Sequence, residues 1–176
     1  MRVFFGLDPS GNCKRRIEDW RDRFVQADGR PVPAANFHIT LAFVGDIDYG
    51  PLERLCDAVD TWMTRAQPTS CEVTLDRVGY FAGPAIFWVG PTHIPDTLRA
   101  LAQALQQRAL SAGARRDTHE WVPHVTLYRR CVLPPPVPLT NPDFTLAFDH
   151  MTLFESRAGN SGVRYTPLAE WELARG

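Results

Sequence analysis

Several features that would place this chain in a common functional class are missing from its sequence. No apolar stretch approaches the roughly 20 residues that a membrane-spanning helix needs. The apolar run at the N-terminus ends at Asp8 and Pro9, which is too early for a signal peptide. The formal net charge of −1 gives no global attraction to nucleic acid or to a membrane. We therefore expect a cytoplasmic protein that makes no use of a membrane, although a local phosphate site stays compatible with this charge.

Metal and disulfide patterns are missing as well. The chain has four cysteines, none of them in a Cys-x-x-Cys pair: Cys13, Cys56, Cys71 and Cys131. It has no His-x-His and no His-Glu-x-x-His motif, which are the closely spaced ligands that a zinc enzyme would use. We expect free thiols in a reducing compartment, no metal and no cofactor.

What the sequence does contain is one four-residue motif in two copies. The letters HITL at residues 38–41 and HVTL at residues 124–127 both have the form His-x-Thr-Leu, about half of the chain apart. Each copy lies in a run where polar and apolar residues alternate, which predicts a half-buried strand. The repeat therefore suggests two halves of one site.

Residues i and i+2 of a strand project from the same face. His38 should therefore share a face with Thr40, and His124 should share a face with Thr126. If the two strands lie side by side, the four side chains line one groove. Two histidines in such a groove can act as a general acid and a general base on a bound phosphate.

Strict alternation also predicts the side on which neighbouring residues lie. Phe43 falls on the apolar face with Ile39 and Leu41, and Arg129 falls on the face opposite His124. Arg129 is still a candidate phosphate ligand, because an arginine fork suits phosphate oxygens. To reach the site from that face, it would have to lie past the end of its strand.

Other residues that could serve a nucleic-acid site have a simpler interpretation. Three histidines lack a threonine partner and are expected at structural or surface positions: His93, His119 and His150. Two arginines that could contact an RNA backbone are expected to be solvated: Arg157 and Arg164. Three aromatic residues could stack on a base but are expected in the core, as strand aromatics usually are: Phe43, Trp121 and Tyr128.

The predicted helices and strands do not follow a regular β-α-β alternation along the chain. Helices are expected to begin near Ser10, Pro51 and Asp96. Besides the motif strands, we expect strands at residues 2–7, 72–78, 85–89, 144–154 and 164–173. With no linker in the chain, residues 1–176 should form one α+β domain. The repeated motif predicts two pseudo-symmetric lobes of antiparallel sheet with outer helices, and an active-site cleft between the lobes.

In their context, the two motifs resemble the signatures of the two-histidine (2H) phosphoesterase superfamily. They look especially like those of the bacterial RNA 2′,3′-cyclic phosphodiesterases, also called 2′-5′ RNA ligases. The first signature is NFHITLAFVG at residues 36–45, and the second is PHVTLYR at residues 123–129. The segments RVFFGLD at 2–8 and RYTPLAEW at 164–171 are similar to the ends of that family, so the resemblance covers nearly the whole chain.

This resemblance implies metal-independent hydrolysis of a terminal RNA 2′,3′-cyclic phosphate to a 2′-phosphate, together with a reversible 2′-5′ RNA ligation. It implies that His38 is the proton donor and His124 the proton acceptor, while Thr40 and Thr126 hold the non-bridging phosphate oxygens. Arg129 joins them as a candidate phosphate ligand. The implied substrates are RNA 3′ ends, including tRNA fragments, or nucleoside 2′,3′-cyclic phosphates. We expect the protein to act as a monomer.

The residues alone leave alternatives open. A non-catalytic RNA- or nucleotide-binding module could carry the same motifs without turnover. A related phosphodiesterase could act on 2′-5′ oligonucleotides or on a cyclic phosphate of ADP-ribose. The residues also do not determine which histidine is the acid and which is the base. A histidine-triad hydrolase is excluded, because it needs closely spaced histidines on one strand and position 40 is threonine.

Overall fold

Residues 1–176 are all described in the computed structural model of this chain. It has three α-helices: α1 at Gly11–Phe24, α2 at Tyr49–Ala66 and α3 at Asp96–Ser111. The ten strands are β1 Arg2–Leu7, β2 Arg30–Pro31, β3 Ile39–Asp46, β4 Cys71–Leu75, β5 Arg77–Phe81, β6 Ile86–Gly90, β7 Val125–Arg129, β8 Phe144–Phe148, β9 His150–Gly159 and β10 Gly162–Glu172. A single 3-10 turn at Ala34–Asn36 leads into the first motif.

The strands form two four-stranded sheets and one two-stranded sheet. The first sheet has the order β10-β9-β1-β3 and ends in the strand of the first motif. The second sheet has the order β2-β7-β6-β5 and holds the strand of the second motif next to its edge, while β4 pairs with β8 alone. All these pairings are antiparallel. The expected α+β class with antiparallel sheets and accompanying helices is therefore confirmed.

One apolar core connects both motif strands to the helices. Ile39 and Leu41 of β3 are fully buried in it, as are Val125 and Leu127 of β7. Helix α3 packs against β3 and contributes Leu98 and Leu105, among others, to the same core. The alternating residues that face away from this core carry the polar side chains of the motifs. Burial of one strand face thus fixes the direction in which the polar face points.

A β-bulge interrupts the alternation in each motif strand. In the pairing of β1 with β3, Phe5 lies opposite Ala42 and Gly6 lies opposite Thr40, so Leu41 is an extra residue. In the pairing of β6 with β7, Phe87 lies opposite Tyr128 and Trp88 lies opposite Thr126, so Leu127 is the extra residue. An extra residue shifts the faces of the side chains that follow it. Strand β3 has a second register shift beyond the motif, where Val44 is extra. The bulges at Leu41 and Leu127 occupy the same place in the two motifs.

Two strand predictions need correction. The segment 72–78 is not one strand, because it is broken at Asp76 into β4 and β5, which belong to different sheets. The segment 144–154 is broken in the same way at Asp149, into β8 and β9. Both corners are held by bonds at the aspartate: the Asp76 side chain accepts from the Thr92 amide at 2.6 Å, and the Asp149 carbonyl accepts from the Leu173 amide at 2.7 Å.

The helix predictions hold with shifted ends. Ser10 caps α1 by accepting from the Cys13 amide at 3.2 Å, and α1 ends at Phe24. Helix α2 begins at Tyr49, two residues before Pro51. Gly113 follows the end of α3 at φ +99°, a conformation that favours glycine and ends a helix. None of the three helices combines the length and the apolar character required to cross a bilayer.

Candidate active site

The two motif histidines have matching positions and matching hydrogen bonds. His38 lies immediately before β3, and His124 lies immediately before β7. His38 donates from Nδ1 to the Asn36 carbonyl at 2.8 Å, and His124 donates from Nδ1 to the Val122 carbonyl at 2.7 Å. A carbonyl can only accept, so the proton of each neutral ring lies on Nδ1. This leaves Nε2 of both rings as the nitrogen that can take up or release a proton.

The motif threonines lie on the same faces as their histidines, as alternation predicts. Thr40 Oγ1 is 3.1 Å from His38 Nε2, so in the neutral state the hydroxyl donates to the ring. Thr126 makes no such bond with His124, and it is the cross-strand neighbour of Trp88. Both threonines are half-buried. Each can therefore turn its hydroxyl towards a bound oxygen.

Arg129 lies on the same face as His124, and the prediction that it lies on the opposite face is wrong. The bulge at Leu127 shifts the phase, so Tyr128 points into the core while Arg129 points out on the side of Thr126. Its charge acts on both histidines, since it lowers the pKa of His38 and of His124. Arg129 does not need to lie past the strand end to reach the site.

Phe43 is the counterpart of Arg129 in the first motif, and the prediction that it belongs to the core is also wrong. After the bulge at Leu41, Ala42 turns inward and Phe43 turns outward, where 68% of its surface is exposed. Its ring lies 6.2 Å from that of Phe4, which in turn contacts His38. The site face thus has an exposed aromatic ring on one motif strand and a guanidinium on the other.

Aromatic rings surround each histidine. The His38 ring has the rings of Phe4 and Tyr165 within 5 Å, at 4.9 and 4.8 Å between centroids. The His124 ring lies 5.2 Å from Phe81 and 5.8 Å from Trp88. These rings hold the imidazoles in place and exclude water from one side of each. Burial of this kind disfavours the charged form of histidine.

The electrostatics of the site follow from this burial. Burial lowers the pKa of His38 to about 4. The hydrogen bond to Asn36 and the charge of Asp8 offset part of this effect, whereas the charges of His124 and Arg129 add to it. Burial lowers the pKa of His124 too, again offset by its carbonyl bond and reinforced by Arg129. Asp8 is the one carboxylate that favours a charged ring, and it does so at His38 alone.

The two motifs are tied together by a side chain that neither motif contains. Trp121 donates from its indole Nε1 to the Thr40 carbonyl at 3.0 Å. Trp121 comes three residues before His124, so this bond connects the start of the second motif with the middle of the first. Its ring is half-buried and packs on the core, so the prediction that it belongs to the core is confirmed in part.

Each bulge is also supported from the other half of the chain. Gln106 of α3 donates to the carbonyl of the bulged Leu41 at 3.1 Å. Arg21 of α1 donates to the carbonyl of the bulged Leu127 at 3.4 Å. Bulges leave backbone groups outside the ladder, and these side chains supply donors to the bulged carbonyls. The Leu127 carbonyl also accepts from the Val32 amide at 2.9 Å. The helix of each half therefore supports the motif of the other half.

The concavity beside His38 is small. A cavity of about 110 Å³ opens there, lined by Asn36, Tyr165, Glu170 and the ion pair of Asp8 with Lys14, whose atoms are 2.6 Å apart. A much larger and more open groove lies between α2 and α3, but neither histidine lines it. Of the motif histidines and threonines, His38 alone lines the smaller cavity, and none lines the groove.

The remaining predicted positions fall as follows. The histidines without a threonine partner are all exposed: His93, His119 and His150. Arg157 is exposed and pairs with Glu155 at 2.9 Å, and Arg164 is exposed on the strand face opposite Tyr165. Tyr128 is buried in the core, as predicted. All four cysteines are free. No group of three His, Cys, Asp or Glu side chains is placed to hold a metal ion.

Sequence reasoning missed three contributors to the site: the Trp121 bond, the face of Arg129 and the aromatic rings around the histidines. The sequence did contain a signal for the face of Arg129. The threonine of each motif is followed by two consecutive apolar residues, Leu41-Ala42 and Leu127-Tyr128, where strict alternation would require the second to be polar. Two adjacent inward residues are what a bulge produces.

The comparisons with known proteins agree with this geometry. The family model of the 2′-5′ RNA ligase superfamily matches residues 9–160. The RNA 2′,3′-cyclic phosphodiesterase of Escherichia coli (strain K12) is 30% identical over 175 residues, which are 99% of this chain and 97% of that protein. The protein of the same name from Methanocaldococcus jannaschii is 24% identical over 97% of this chain and 100% of its own length.

A solved structure supports the same relationship. The crystal structure of E. coli LigT complexed with 3′-AMP superposes with a TM-score of 0.88 at 29% identity, covering 99% of this chain and 98% of that one. TT0787 of Thermus thermophilus shares the fold, with a TM-score of 0.77 at 20% identity over 99% of both chains. With the family model matching most of its length, this chain belongs to the 2′-5′ RNA ligase superfamily.

Proposed function

We propose that this protein is an RNA 2′,3′-cyclic phosphodiesterase that uses its two motif histidines as acid and base. The observation that carries the proposal is the matching pair of Nδ1 bonds, at 2.8 Å for His38 and 2.7 Å for His124. Each bond orients a ring and leaves Nε2 available for proton transfer. The names of the relatives give the substrate class, and the motif geometry gives the chemistry.

In the proposed reaction, His124 removes a proton from water, and the water oxygen attacks phosphorus. The bond between phosphorus and the ribose 3′ oxygen breaks, and His38 gives its proton to that oxygen, which leaves a 2′-phosphate. Thr40 and Thr126 donate to the non-bridging oxygens as charge develops there, and Arg129 adds a positive charge on the same face. The assignment of His38 as the acid and His124 as the base follows the resemblance of the two motifs to the family, since burial lowers the pKa of both rings in the free protein.

The free protein keeps both rings neutral near pH 7, because both pKa values are lowered. A bound phosphate anion would raise them, since an opposite charge nearby favours the charged form. The acid therefore takes up its proton together with the substrate. All donors in this scheme come from the protein, so we expect EDTA to leave the activity unchanged. Restoration of lost activity by one added metal would contradict the scheme.

The natural substrate and setting are part of the proposal. RNA 3′ ends, including tRNA fragments, and nucleoside 2′,3′-cyclic phosphates all present the required ring. In 2′-5′ ligation, the 5′ hydroxyl of a second RNA would take the place of the attacking water, and the bond to the 3′ oxygen would break in the same way. We extend the proposal to a monomer that acts in the cytoplasm. The test is a panel of 2′,3′-cyclic, 3′,5′-cyclic and 2′-5′-linked substrates, together with an ADP-ribose cyclic phosphate, with the product position determined by phosphorus NMR.

Variants complete this test. His38→Ala and His124→Ala should each reduce turnover of a 2′,3′-cyclic phosphate by roughly 100-fold or more, the usual scale for loss of a general acid or base. His93→Ala is the matched control, because His93 is exposed and lies outside both motifs. Binding without turnover by the unchanged protein would favour a non-catalytic module. Turnover of a different member of the panel would move the protein to another substrate within the superfamily.

A further inference from the structure

Two arginines lie side by side next to the motif site. In the pairing of β2 with β7, Arg30 is the direct cross-strand neighbour of Arg129. Directly opposed residues of an antiparallel pair project from the same face, with their strands about 4.8 Å apart. Since β2 is the edge strand of its sheet, Arg30 lies one strand further out than Arg129.

This pair faces the site and not the core. The bulge at Leu127 puts Arg129 on the face of Thr126 and His124, and Arg30 shares that face through its register. Both arginine side chains are exposed. Arg129 lies on the histidine strand, and Arg30 lies beyond it on the open edge of the second sheet.

No acidic group of the protein neutralises this pair. None of the ion pairs in the structure includes Arg30 or Arg129. The carboxylates nearest in sequence to Arg30 are engaged elsewhere: Asp22 pairs with Arg21 at 3.0 Å, and Asp28 accepts from the Leu133 amide at 3.2 Å. Like charges directly opposed on a sheet destabilise it. An anion between the two guanidinium groups would remove this cost.

We propose that Arg30 adds a second phosphate subsite on the outer side of Arg129, which the subsite shares with the reacting phosphate. The subsite holds the phosphodiester next to the reacting cyclic phosphate of an RNA strand. This inference rests on the proposed function and narrows its substrate to oligonucleotides. A nucleoside 2′,3′-cyclic phosphate has only the reacting phosphate and leaves the subsite empty. Two guanidinium groups suit a phosphodiester, because each can donate in parallel to two of its oxygens.

The experiment compares three substrates. The first is adenosine 2′,3′-cyclic phosphate, and the second is a trinucleotide with the same cyclic end. The third is this trinucleotide with an uncharged methylphosphonate at the linkage next to the end. Arg30→Gln should lower kcat/KM on the charged trinucleotide by about two- to fivefold, as expected for one exposed phosphate contact, and leave the mononucleotide unchanged. The salt dependence of log kcat/KM on the charged trinucleotide should weaken by about 0.7.

The uncharged linkage gives an independent readout. It should reduce kcat/KM of the unchanged protein about as much as Arg30→Gln does, and it should cause no further loss in that variant. Arg30→Lys should keep part of the preference for the charged trinucleotide, because it keeps the charge but not the fork. Arg164→Gln is the matched control, since it removes the same charge from an exposed position on a strand face that points away from Tyr165 and the site.

Three results would overturn the inference. Equal loss on the mononucleotide and the trinucleotide would place Arg30 in the folding or chemistry of the first site. Equal activity of Arg30→Gln and the unchanged protein on every substrate would show that Arg30 holds no phosphate. Failure of the unchanged protein to turn over any cyclic phosphate would contradict the proposed function, and the inference with it. This last result is distinguished from the other two because it needs no variant.

Discussion

The indole of Trp121 and the backbone of Thr40 join the two half-sites by one hydrogen bond of 3.0 Å. The bond fixes the first motif relative to the residue that lies three positions before His124. Catalysis by two histidines depends on their relative placement, because both must reach one phosphate. We therefore expect this single neutral hydrogen bond to matter more for catalysis than for stability.

We expect Trp121→Phe to lower kcat by a few-fold to about tenfold, while KM changes little, because the ring still packs but no longer positions Thr40. The free energy of unfolding should fall by only about 1 kcal/mol, the usual contribution of one such bond. Steady-state kinetics and urea unfolding measure the two effects. Trp171→Phe is the matched control, since it removes an indole bond to Asp60 elsewhere on the molecule. Equal kcat for both variants would show that the Trp121 bond has no positioning role.

Gly79 provides a second test of how the second half-site is built. A Cβ at this position would lie 2.0 Å from the ring of Trp88, whose other contacts include the ring of His124. Gly79→Ala must therefore displace Trp88. We expect a loss of about 1–3 kcal/mol in unfolding free energy, the usual cost of overpacking, and a loss of activity that exceeds what the unfolded fraction explains.

The control for this variant is Gly83→Ala, because a Cβ at Gly83 meets no atom within 4 Å. Thermal unfolding and turnover of a 2′,3′-cyclic phosphate should both stay close to those of the unchanged protein. If Gly79→Ala were destabilised but kept its turnover per folded molecule, Trp88 would be a packing residue with no influence on His124.

The faces of the four motif residues could be predicted from the sequence because a strand's period of two is local. His38 and Thr40 need only each other and their apolar neighbours to be placed on one face. The bulges are different, because they depend on pairing with Gly6 and Trp88, far away in the chain. Strict alternation alone therefore misplaced Arg129, although the adjacent apolar residues Leu127-Tyr128 were a local sign of the bulge.

The broken strands have the same explanation. Residues 72–78 are apolar enough for one strand, but Asp76 turns a corner, so that β4 pairs with β8 while β5 pairs with β6. Which strands pair with one another is determined by the whole fold and not by the local sequence. Arg30 illustrates the limit most clearly, since it lies in a proline-containing loop by its local pattern and becomes part of a site only through its register with Arg129.

Stability should depend on pH through the motif histidines. The pKa of His38 is about 4 in the folded protein, against about 6.5 in an unfolded chain. Between these values the unfolded chain binds more protons, so the free energy of unfolding falls as the pH is lowered from 6.5 towards 4. For the half-buried His38 the loss between pH 7 and pH 5 should be roughly 1–2 kcal/mol.

Urea unfolding at pH 7 and pH 5 measures this loss. His38→Gln should reduce the difference between the two pH values, and His124→Gln should reduce it in the same direction, because burial lowers both pKa values. His93→Gln is the control, since that residue is exposed. An unchanged difference in His38→Gln would mean that the pKa of His38 is not lowered in the folded protein.

The pH dependence of the reaction rate should also reflect the lowered pKa values of the two histidines. The pH dependence of kcat/KM reports the free enzyme, in which one histidine must carry a proton and the other must not. Because both pKa values are lowered, the bell-shaped profile should have its maximum below pH 6.5. The maximum of kcat should lie at higher pH, because the bound phosphate raises the pKa of both rings.

Arg129→Gln should shift the kcat/KM profile towards higher pH while reducing its height, since the charge of Arg129 lowers both pKa values in the unchanged protein. A profile that keeps its position in Arg129→Gln would show that this arginine does not act on the histidines, and a kcat/KM that rises steadily from pH 6.5 to 8 would contradict the acid–base pair itself.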